Sequence, residues 1–369
     1  MMQKLRRIRP TFRAALAAAT TAAACAPATL ASSSTFTGVA LLATGATVLV
    51  GCEDPNAPET HVGYLEDPKR RDAAVKRIMQ FYEDAITRDL KAVKDAAAKM
   101  KEDGKSPAEI AAMEAEGKAA IDNREAENVK KIIDLAVPPL VELFKNDELS
   151  GISKGLAIRF LADTRSPAAV PALLKAVKDY KIDDKRPEKY DSQMTDVIRN
   201  IGEMYRSKRI ENNPEMSAAV FDLFKQTHGS YVKAKANRFY LVLNTTLRQI
   251  ADPAWEPELI KMVEVPVKSL ANKYKKQLED QQFWQQTAAT LLGAAQSTKA
   301  VVPLLKVTLN PFKARWSNDA MIALIRIGKP SLDSALKLMK GEDEALIGYA
   351  ETQYKKALED QGVKPPEKP

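Results

Sequence analysis

The sequence predicts an all-α protein, an α-α superhelix of stacked helical hairpins that follows an N-terminal export signal. Three observations predict this fold. From residue 67 onward, apolar residues recur at three- and four-residue steps, the period of an amphipathic helix. One sequence frame returns six times between residues 136 and 340. The first 51 residues have the layout of a signal segment, with a basic start and a long uncharged stretch.

The composition describes a folded body and argues against nucleic-acid binding. Of 369 residues, 45% are hydrophobic and 28% are charged. The formal net charge of +8 is concentrated at the N-terminus, because residues 1–52 contain five basic residues and no acidic one. From Glu53 onward, 51 basic residues face 48 acidic ones, which is too even a balance for a phosphate-binding surface.

Cysteine and histidine are too scarce for most metal and nucleophilic sites. Cys25 and Cys52 both precede the main body, so cysteine clusters for zinc or iron are excluded from residues 53–369. The only histidines are His61, which we expect to be solvated, and His228, which we expect to satisfy carbonyl groups at a helix end. The sequence contains no phosphate loop, dinucleotide fingerprint, nucleophile elbow or HExxH motif. We therefore expect no catalytic residue, cofactor, metal or small-molecule substrate.

The N-terminal segment ends in a cysteine motif. Its most apolar part, residues 38–50, is shorter than the roughly 20 residues that cross a bilayer as a helix. The tetrapeptide Leu49-Val50-Gly51-Cys52 resembles the bacterial lipobox. This resemblance implies removal of a signal peptide, residues 1–51, by cleavage between Gly51 and Cys52. It also implies a diacylglycerol on the thiol of Cys52 and an acylated new amino group.

A lipidated Cys52 would anchor the chain to a membrane, because two or more acyl chains hold a protein stably. The expected location is then the cell envelope, at the outer membrane or at the periplasmic face of the inner membrane. Residues 52–67 are predicted as the lipidated cysteine and a flexible, proline-stiffened tether. The alternative is an ordinary Cys52 behind a signal anchor, residues 14–51, that is not removed.

The body begins with a predicted helical hairpin over residues 68–130, which would cap one end of the stack. Asp67 and the proline after it predict the N-cap and first position of a helix that runs to about Met100. After a short break, Ser106 predicts the start of a second helix that runs towards Ile121. The first helix has an apolar face formed by Val75, Ile78, Met79, Tyr82, Ile86, Leu90 and Val93.

The repeating frame predicts further hairpins over residues 131–345. One set of segments shares an aliphatic ladder that often opens with proline: 136–145, 169–177, 219–225, 255–263, 301–307 and 332–340. A complementary set lies between them: 153–167, 195–205, 245–253, 286–298 and 319–330. Such units cover their apolar faces only by stacking on their neighbours. Residues 346–369 are predicted as a capping helix and a disordered tail.

The succession AIRFLADTRSPAAVPALLKAVKD resembles the HEAT repeat, in which one helix closes on a small residue and the next opens with Ala-Val-Pro. The segment IRIGKPSLDSALKLMKGED is similar, and the resemblance covers residues 130–341. With the lipobox, the chain resembles a HEAT-repeat lipoprotein of a Gram-negative bacterium. Two features depart from the pattern: Ser153 and Lys154 lie where an arginine is expected to meet Asp147, and residues 178–192 lengthen one unit.

The resemblance implies a non-catalytic scaffold for protein-protein interaction, whose partner the sequence does not identify. Two alternatives stay open: a passive structural or spacer protein of the envelope, and a lyase, since some HEAT-like families act as lyases on bilin chromophores.

One strip of mixed character, residues 272–286, could be a binding surface because it combines basic, amide and aromatic residues. We expect instead a solvated helix face whose Phe283 and Trp284 pack in the core. Trp255 and Trp316 are likewise predicted to be packing residues.

Overall fold

The computed structural model describes residues 54–149, 151–182, 192–211, 213–227, 238–267, 269 and 275–363. All of them belong to one compact unit, residues 52–369. Within these ranges the chain is all-helical, with α-helices, short 3-10 turns and no strand. The predicted all-α class is therefore confirmed. The predicted signal segment, Cys52, His228 and most of the long 178–192 loop lie outside the described residues.

The helices follow one another through short turns, several of which are 3-10 turns. The α-helices are α1 (Pro58–Gly63), α2 (Arg71–Glu102), α3 (Pro107–Asp122), α4 (Glu127–Lys145), α5 (Gly151–Thr164), α6 (Val170–Asp179), α7 (Ser192–Arg206), α8 (Pro214–Lys225), α9 (Arg238–Ile250), α10 (Glu256–Glu264), α11 (Lys275–Ala294), α12 (Val301–Thr308), α13 (Ser317–Ile327), α14 (Lys329–Met339) and α15 (Glu344–Asp360).

The segment predicted as a tether contains folded structure. Helix α1 is followed by a 3-10 turn, Tyr64–Glu66, and packs against α2 and α4. Leu65 is only 1% exposed and lies in the hydrophobic core. The tether prediction is therefore wrong for residues 58–66. This stretch has no helical period because it contributes single apolar anchors and no continuous amphipathic face.

His61 is also not simply solvated. Its ring lies 5.5 Å from the ring of Tyr64 and 5.5 Å from the ring of Phe81, measured between centroids. Its Nε2 atom lies 2.9 Å from the carbonyl oxygen of Pro55. His61 thus helps to hold α1 on α2, and the expectation of a solvated histidine is wrong.

The first long helix begins later than predicted. Asp67 does not cap α2; its side chain accepts a hydrogen bond from the Lys69 amide at 2.9 Å, and its carbonyl accepts from the Arg71 amide at 2.9 Å. These bonds close a turn ahead of the helix. The predicted restart at Ser106 is confirmed as a capping box, since the Ser106 hydroxyl accepts from the Glu109 amide and the Glu109 carboxylate accepts from the Ser106 amide.

Asp89 supplies a cap that the sequence pattern did not reveal. This carboxylate is buried on α2 and accepts hydrogen bonds from the Val129 amide at 3.1 Å and from the Asn128 side chain at 2.6 Å. Both donors lie in the first turn of α4, where backbone amides have no partner within the helix. A side chain of one helix therefore caps the start of another.

The repeat segments lie on two sets of helices that alternate along the described part of the chain. The first set of repeat segments lies in α4, α6, α8, α10, α12 and α14, and the second in α5, α7, α9, α11 and α13. In the second set, α5 packs against α7, α7 against α9, α9 against α11, and α11 against α13. In the first set, α4 packs against α6, α6 against α8, α10 against α12, and α12 against α14. The apolar core runs without a break from Leu65 to Leu346.

Two helices of the second set approach each other very closely. A Cβ atom built on Gly293 of α11 would lie 2.7 Å from the Cα and 2.8 Å from the Cβ of Ala323 on α13. Contacts this short do not occur between real atoms, so this position accepts only glycine at the observed helix separation.

Hydrogen bonds of buried polar side chains connect α11 with the 3-10 turn that precedes α13. Trp316 is fully buried, and its ring N–H donates to the side-chain oxygen of Gln285 at 2.9 Å. The amide nitrogen of Gln285 donates to the carbonyl of Val265 at 2.7 Å. The packing roles predicted for Trp316, Trp255 and Trp284 are confirmed, since all three side chains are buried.

Candidate functional site: a polar cleft and an apolar end face

The sequence-predicted lipidation site, Leu49, Val50, Gly51 and Cys52, lies outside the described residues. Among the residues that the structure does describe, no group of three or more His, Cys, Asp and Glu side chains is placed to hold a metal ion. None of the described helices combines the length and the apolar character needed to cross a bilayer. Two other features stand out, a cleft between helices and an exposed apolar face.

The cleft lies between α2, α5 and α7 and has a volume of about 290 Å³. Met79, Tyr82 and Ile86 line it from α2, so this wall is largely apolar. Glu83 also comes from α2, and the other walls add three arginines and two carboxylates: Arg159, Arg165, Arg199, Asp163 and Asp196. The sequence did not predict this site.

Asp163 is fully engaged by its neighbours. The Tyr82 hydroxyl donates to one carboxylate oxygen at 2.8 Å, and Nη2 of Arg124 donates to both oxygens at 2.9 and 3.1 Å. The Nε atom of Arg124 also donates to the Asp163 carbonyl at 3.0 Å. Burial, with the Asp163 charge beside it, raises the pKa of Tyr82, so the phenol keeps its proton and remains a donor.

Arg165 has no such carboxylate. It follows α5 in the left-handed conformation, with φ 49°. Its Nε donates to the Asn200 side-chain oxygen at 3.0 Å and its Nη1 lies 3.4 Å from the Asp122 carbonyl. The guanidinium is half-buried and forms no ion pair with any residue that the structure describes. Burial, followed by repulsion from Arg124, lowers the pKa of Arg165.

The arginines also close helix ends. Arg124 after α3 (φ 62°), Arg165 after α5 and Lys208 after α7 (φ 57°) all adopt the left-handed conformation that ends many helices. Arg209 donates to the carbonyl of Arg165 at 3.3 Å and to that of Asn123. The Arg124 and Arg165 side chains donate to the carbonyls of Ile121 and Asp122 at the end of α3, where cations also complement the helix dipole. A basic residue just after each helix was the available sequence signal.

Asp147 joins two neighbouring helices. Its Oδ1 lies 2.9 Å from Nζ of Lys154 on α5, and its Oδ2 lies 2.8 Å from Nζ of Lys175 on α6. Hydrogen bonds from Lys175 and Lys154 lower the pKa of Asp147. Lys154, which departs from the repeat pattern, therefore contributes a cation to Asp147.

Lys313 is an unexpected buried amine. It is 3% exposed, and its Nζ donates to the carbonyl of Val263 at the end of α10. Burial lowers the pKa of Lys313 to about 8, against a smaller opposite effect of Glu264. The amine serves as a cap for α10 that comes from the 3-10 turn Pro311–Trp316.

The second feature is an exposed apolar face on α13 and α14, which we call the end face. Its six side chains are between 42% and 83% exposed: Met321, Ile322, Ile325, Leu332, Leu336 and Met339. On α13 the buried residues Ala320, Ala323 and Ile327 pack on the opposite side, towards α11 and α12. The end face therefore lies on the side of α13 and α14 that is turned away from the core.

The last helix leaves this face open. Helix α15 confirms the predicted C-terminal helix, but it packs mainly against the 3-10 turn Pro311–Trp316, with smaller contacts to α12 and α14. It buries only Leu346 and Ala357. The predicted capping of the apolar stack is therefore incomplete.

Cations lie around the end face. Lys329 pairs with Asp333 at 3.2 Å. Arg326, Lys337 and Lys340 are exposed and form no ion pair within the described ranges. The end face thus combines apolar side chains with three uncompensated positive charges.

The strip at residues 272–286, where the structure describes it, is part of α11. Gln281 donates to the carbonyl of Pro266 at 3.0 Å, and Gln285 is buried between Val265 and Trp316. Phe283 packs against the core and Trp284 is buried. The core role predicted for these aromatic residues is confirmed.

No protein-family model matches this chain, and no curated protein matches it.

Proposed function

We propose that this chain is a lipid-anchored scaffold of the bacterial cell envelope, whose HEAT-like solenoid binds a protein partner without catalysing a reaction. Serial packing of the second helix set, from α5 to α13, supports the solenoid, as do the contacts of α4, α6 and α8 and of α10, α12 and α14 in the first set. The lipobox resemblance of Leu49 to Cys52 supports the anchor.

The exposed apolar end face is the main support for the proposal that the chain binds a partner. Stacked helical repeats need a polar outer surface on the terminal unit to stay in solution alone. Here the terminal unit instead exposes two apolar stripes, one on α13 and one on α14. Contiguous apolar surface rimmed by polar residues marks interaction sites in soluble proteins.

The expected occupant is an amphipathic helix of the partner, with apolar residues along one side and Asp or Glu beside them. A helix is expected because the next element of such a stack would be one, and helices bind apolar surfaces through anchors at i, i+4 and i+7. Acidic flanks are expected because Arg326, Lys337 and Lys340 lack counter-charges. A second copy of this chain would bring the same cations against each other.

The test is site-specific photo-crosslinking of the full chain in its own cells. A photoreactive residue is placed at Ile325 and, separately, at Met339, with exposed Ala218 on α8 as the matched control. We expect one partner to be crosslinked from both end-face positions and not from Ala218, with the adduct mapped to an amphipathic segment with acidic flanks.

Several outcomes would contradict this assignment. Adducts with a second copy or with lipid alone would assign the end face to another occupant, and no adduct at either position would favour a passive spacer. Ile325→Asp should abolish the partner adduct formed from Met339. Because Ile325 is exposed, this substitution should change the free energy of unfolding by no more than about 0.5 kcal/mol.

The anchor is tested separately by mass spectrometry of the mature N-terminus. We expect the chain to begin at Cys52 with acyl groups attached, and the acyl mass to disappear in Cys52→Ser. A mature chain that keeps Met1 would refute the anchor but leave the partner-binding proposal intact.

A further inference from the structure

We infer that the cleft between α2, α5 and α7 binds a single carboxylate on an apolar stem, and that the guanidinium of Arg165 holds it. This cleft is distinct from the end face and does not depend on the proposed partner helix. The inference rests on an uncompensated charge, on free donors and on the character of the walls.

The uncompensated charge is that of Arg165. A half-buried cation is unfavourable unless an anion or strong acceptors replace the water it has lost. The carboxylates that act on it are already occupied: Asp163 by Arg124 and Tyr82, and Glu203 by Arg206 and Gln249. The positive charge of Arg124 adds to the positive potential at the Arg165 guanidinium.

Free donors remain on this side chain. A guanidinium carries five N–H groups in a planar fork that matches a carboxylate. In Arg165, Nε and Nη1 face Asn200 and Asp122, while Nη2 has no acceptor among the described residues. Arg159 lines the same cleft, is exposed, and forms no ion pair with the described part of the chain, so it adds a second cation.

The walls favour a ligand with one negative charge and an apolar body. Glu83, Asp163 and Asp196 line the cleft, and they would repel a phosphate dianion more strongly than a carboxylate. Met79 and Ile86 offer a half-buried apolar wall for a methylene stem. A volume of about 290 Å³ suits a side chain or a short acid rather than a large cofactor.

Two kinds of ligand carry a carboxylate on an apolar stem: a glutamate side chain of a peptide and a free short-chain acid. The probes are N-acetyl-glutamate amide for the first and hexanoate for the second, and their uncharged controls are N-acetyl-glutamine amide and hexanamide. Binding to the purified full chain is measured by ligand-observed NMR, with inorganic phosphate as a further probe. We expect carboxylates to bind and their amides not to bind.

Substitutions of single arginines test whether the carboxylate binds in this cleft. Arg165→Gln should weaken carboxylate binding about tenfold or more, because a hydrogen-bonded charge pair is lost. Arg165 also closes a helix end, so Arg159→Gln, at an exposed position, provides the second variant and should weaken binding about threefold. Arg315→Gln, at an exposed arginine outside the cleft, is the matched control and should leave binding unchanged.

Four results would overturn the inference: no carboxylate binding at millimolar concentration, equal binding of the amides, tighter binding of phosphate, or an equal loss in Arg315→Gln. If carboxylates bind, a preference for the glutamate probe assigns the cleft to a peptide, and a preference for hexanoate assigns it to a small acid.

Discussion

Replacing Gly293 by alanine is expected to destabilise the protein, although the same change usually stabilises a helix. Alanine is favoured over glycine within helices by about 0.5–1 kcal/mol. At Gly293, however, the new methyl group would lie 2.7 Å from Cα and 2.8 Å from Cβ of Ala323, where ordinary contacts begin at 3.4 Å. Helices α11 and α13 would have to separate by roughly 0.7 Å, the difference between these distances.

The magnitude follows from opposing effects. Overpacking a well-filled helix interface costs about 1–3 kcal/mol, and a gap of 0.5–1 Å elsewhere along the interface loses roughly a quarter to a half of each contact energy. Subtracting the gain in helix propensity leaves a net destabilisation of about 1–2 kcal/mol. The matched control is Gly348→Ala on α15, where a Cβ atom meets nothing within 4 Å and stabilisation by about 0.5–1 kcal/mol is expected.

Hydrogen exchange followed by mass spectrometry measures this effect locally, which matters because repeat proteins need not unfold in one step. In Gly293→Ala, peptides from α11 and α13 should exchange about 5–30-fold faster, the factor that corresponds to the expected loss. In Gly348→Ala, α15 should exchange more slowly. Unchanged or slower exchange in α11 and α13 of Gly293→Ala would show that the two helices are not in close contact.

Three further substitutions test other contacts. Gln285→Leu should destabilise the fold by about 1–3 kcal/mol by thermal melting, because it leaves the N–H of the fully buried Trp316 without a partner; a loss below about 0.5 kcal/mol would argue against this hydrogen bond. Asp89→Ala should cost about 1–2 kcal/mol and speed hydrogen exchange in the first turn of α4 alone; faster exchange throughout α4 would mean that the carboxylate does more than cap. The pKa of Lys313 is lowered to about 8, so between pH 8 and its ordinary value of 10.5 the unfolded chain binds a proton that the folded chain does not. Stability should therefore rise with pH across this window by up to about 3 kcal/mol. The rise should disappear in Lys313→Met, and an identical pH dependence in the two proteins would contradict a buried amine.

Much of the fold was predictable because it is local. Helical periodicity and capping residues depend on neighbours within a few positions, and the restart at Ser106 and both repeat sets were predicted on that basis. The tether prediction for residues 58–66 was wrong because the docking of this segment depends on Leu65 reaching a core made by distant residues. The predicted start of α2 was wrong because the Asp67 side chain accepts a hydrogen bond within a turn and is therefore not available as an N-cap.

The candidate sites were less predictable because they depend on how helices are placed. The cleft collects side chains from α2, α5 and α7, and Arg165 joins it from a left-handed position just after α5. The end face contains ordinary aliphatic residues, such as Ile325 and Met339, that the sequence cannot distinguish from core residues. Their exposure follows from the position of α15, which packs beside the stack instead of over it.

The docking of α1 limits how far the protein could reach from a bilayer. If Cys52 carries the acyl chains, only six bonds between consecutive residues separate it from Pro58, the first residue of the docked helix. A fully extended chain of this length spans at most about 20 Å, and the Ala57 amide bonding back to the Asp54 carbonyl shortens it further. The folded body would then lie close to the lipid headgroups, and any partner would have to bind it at the membrane surface.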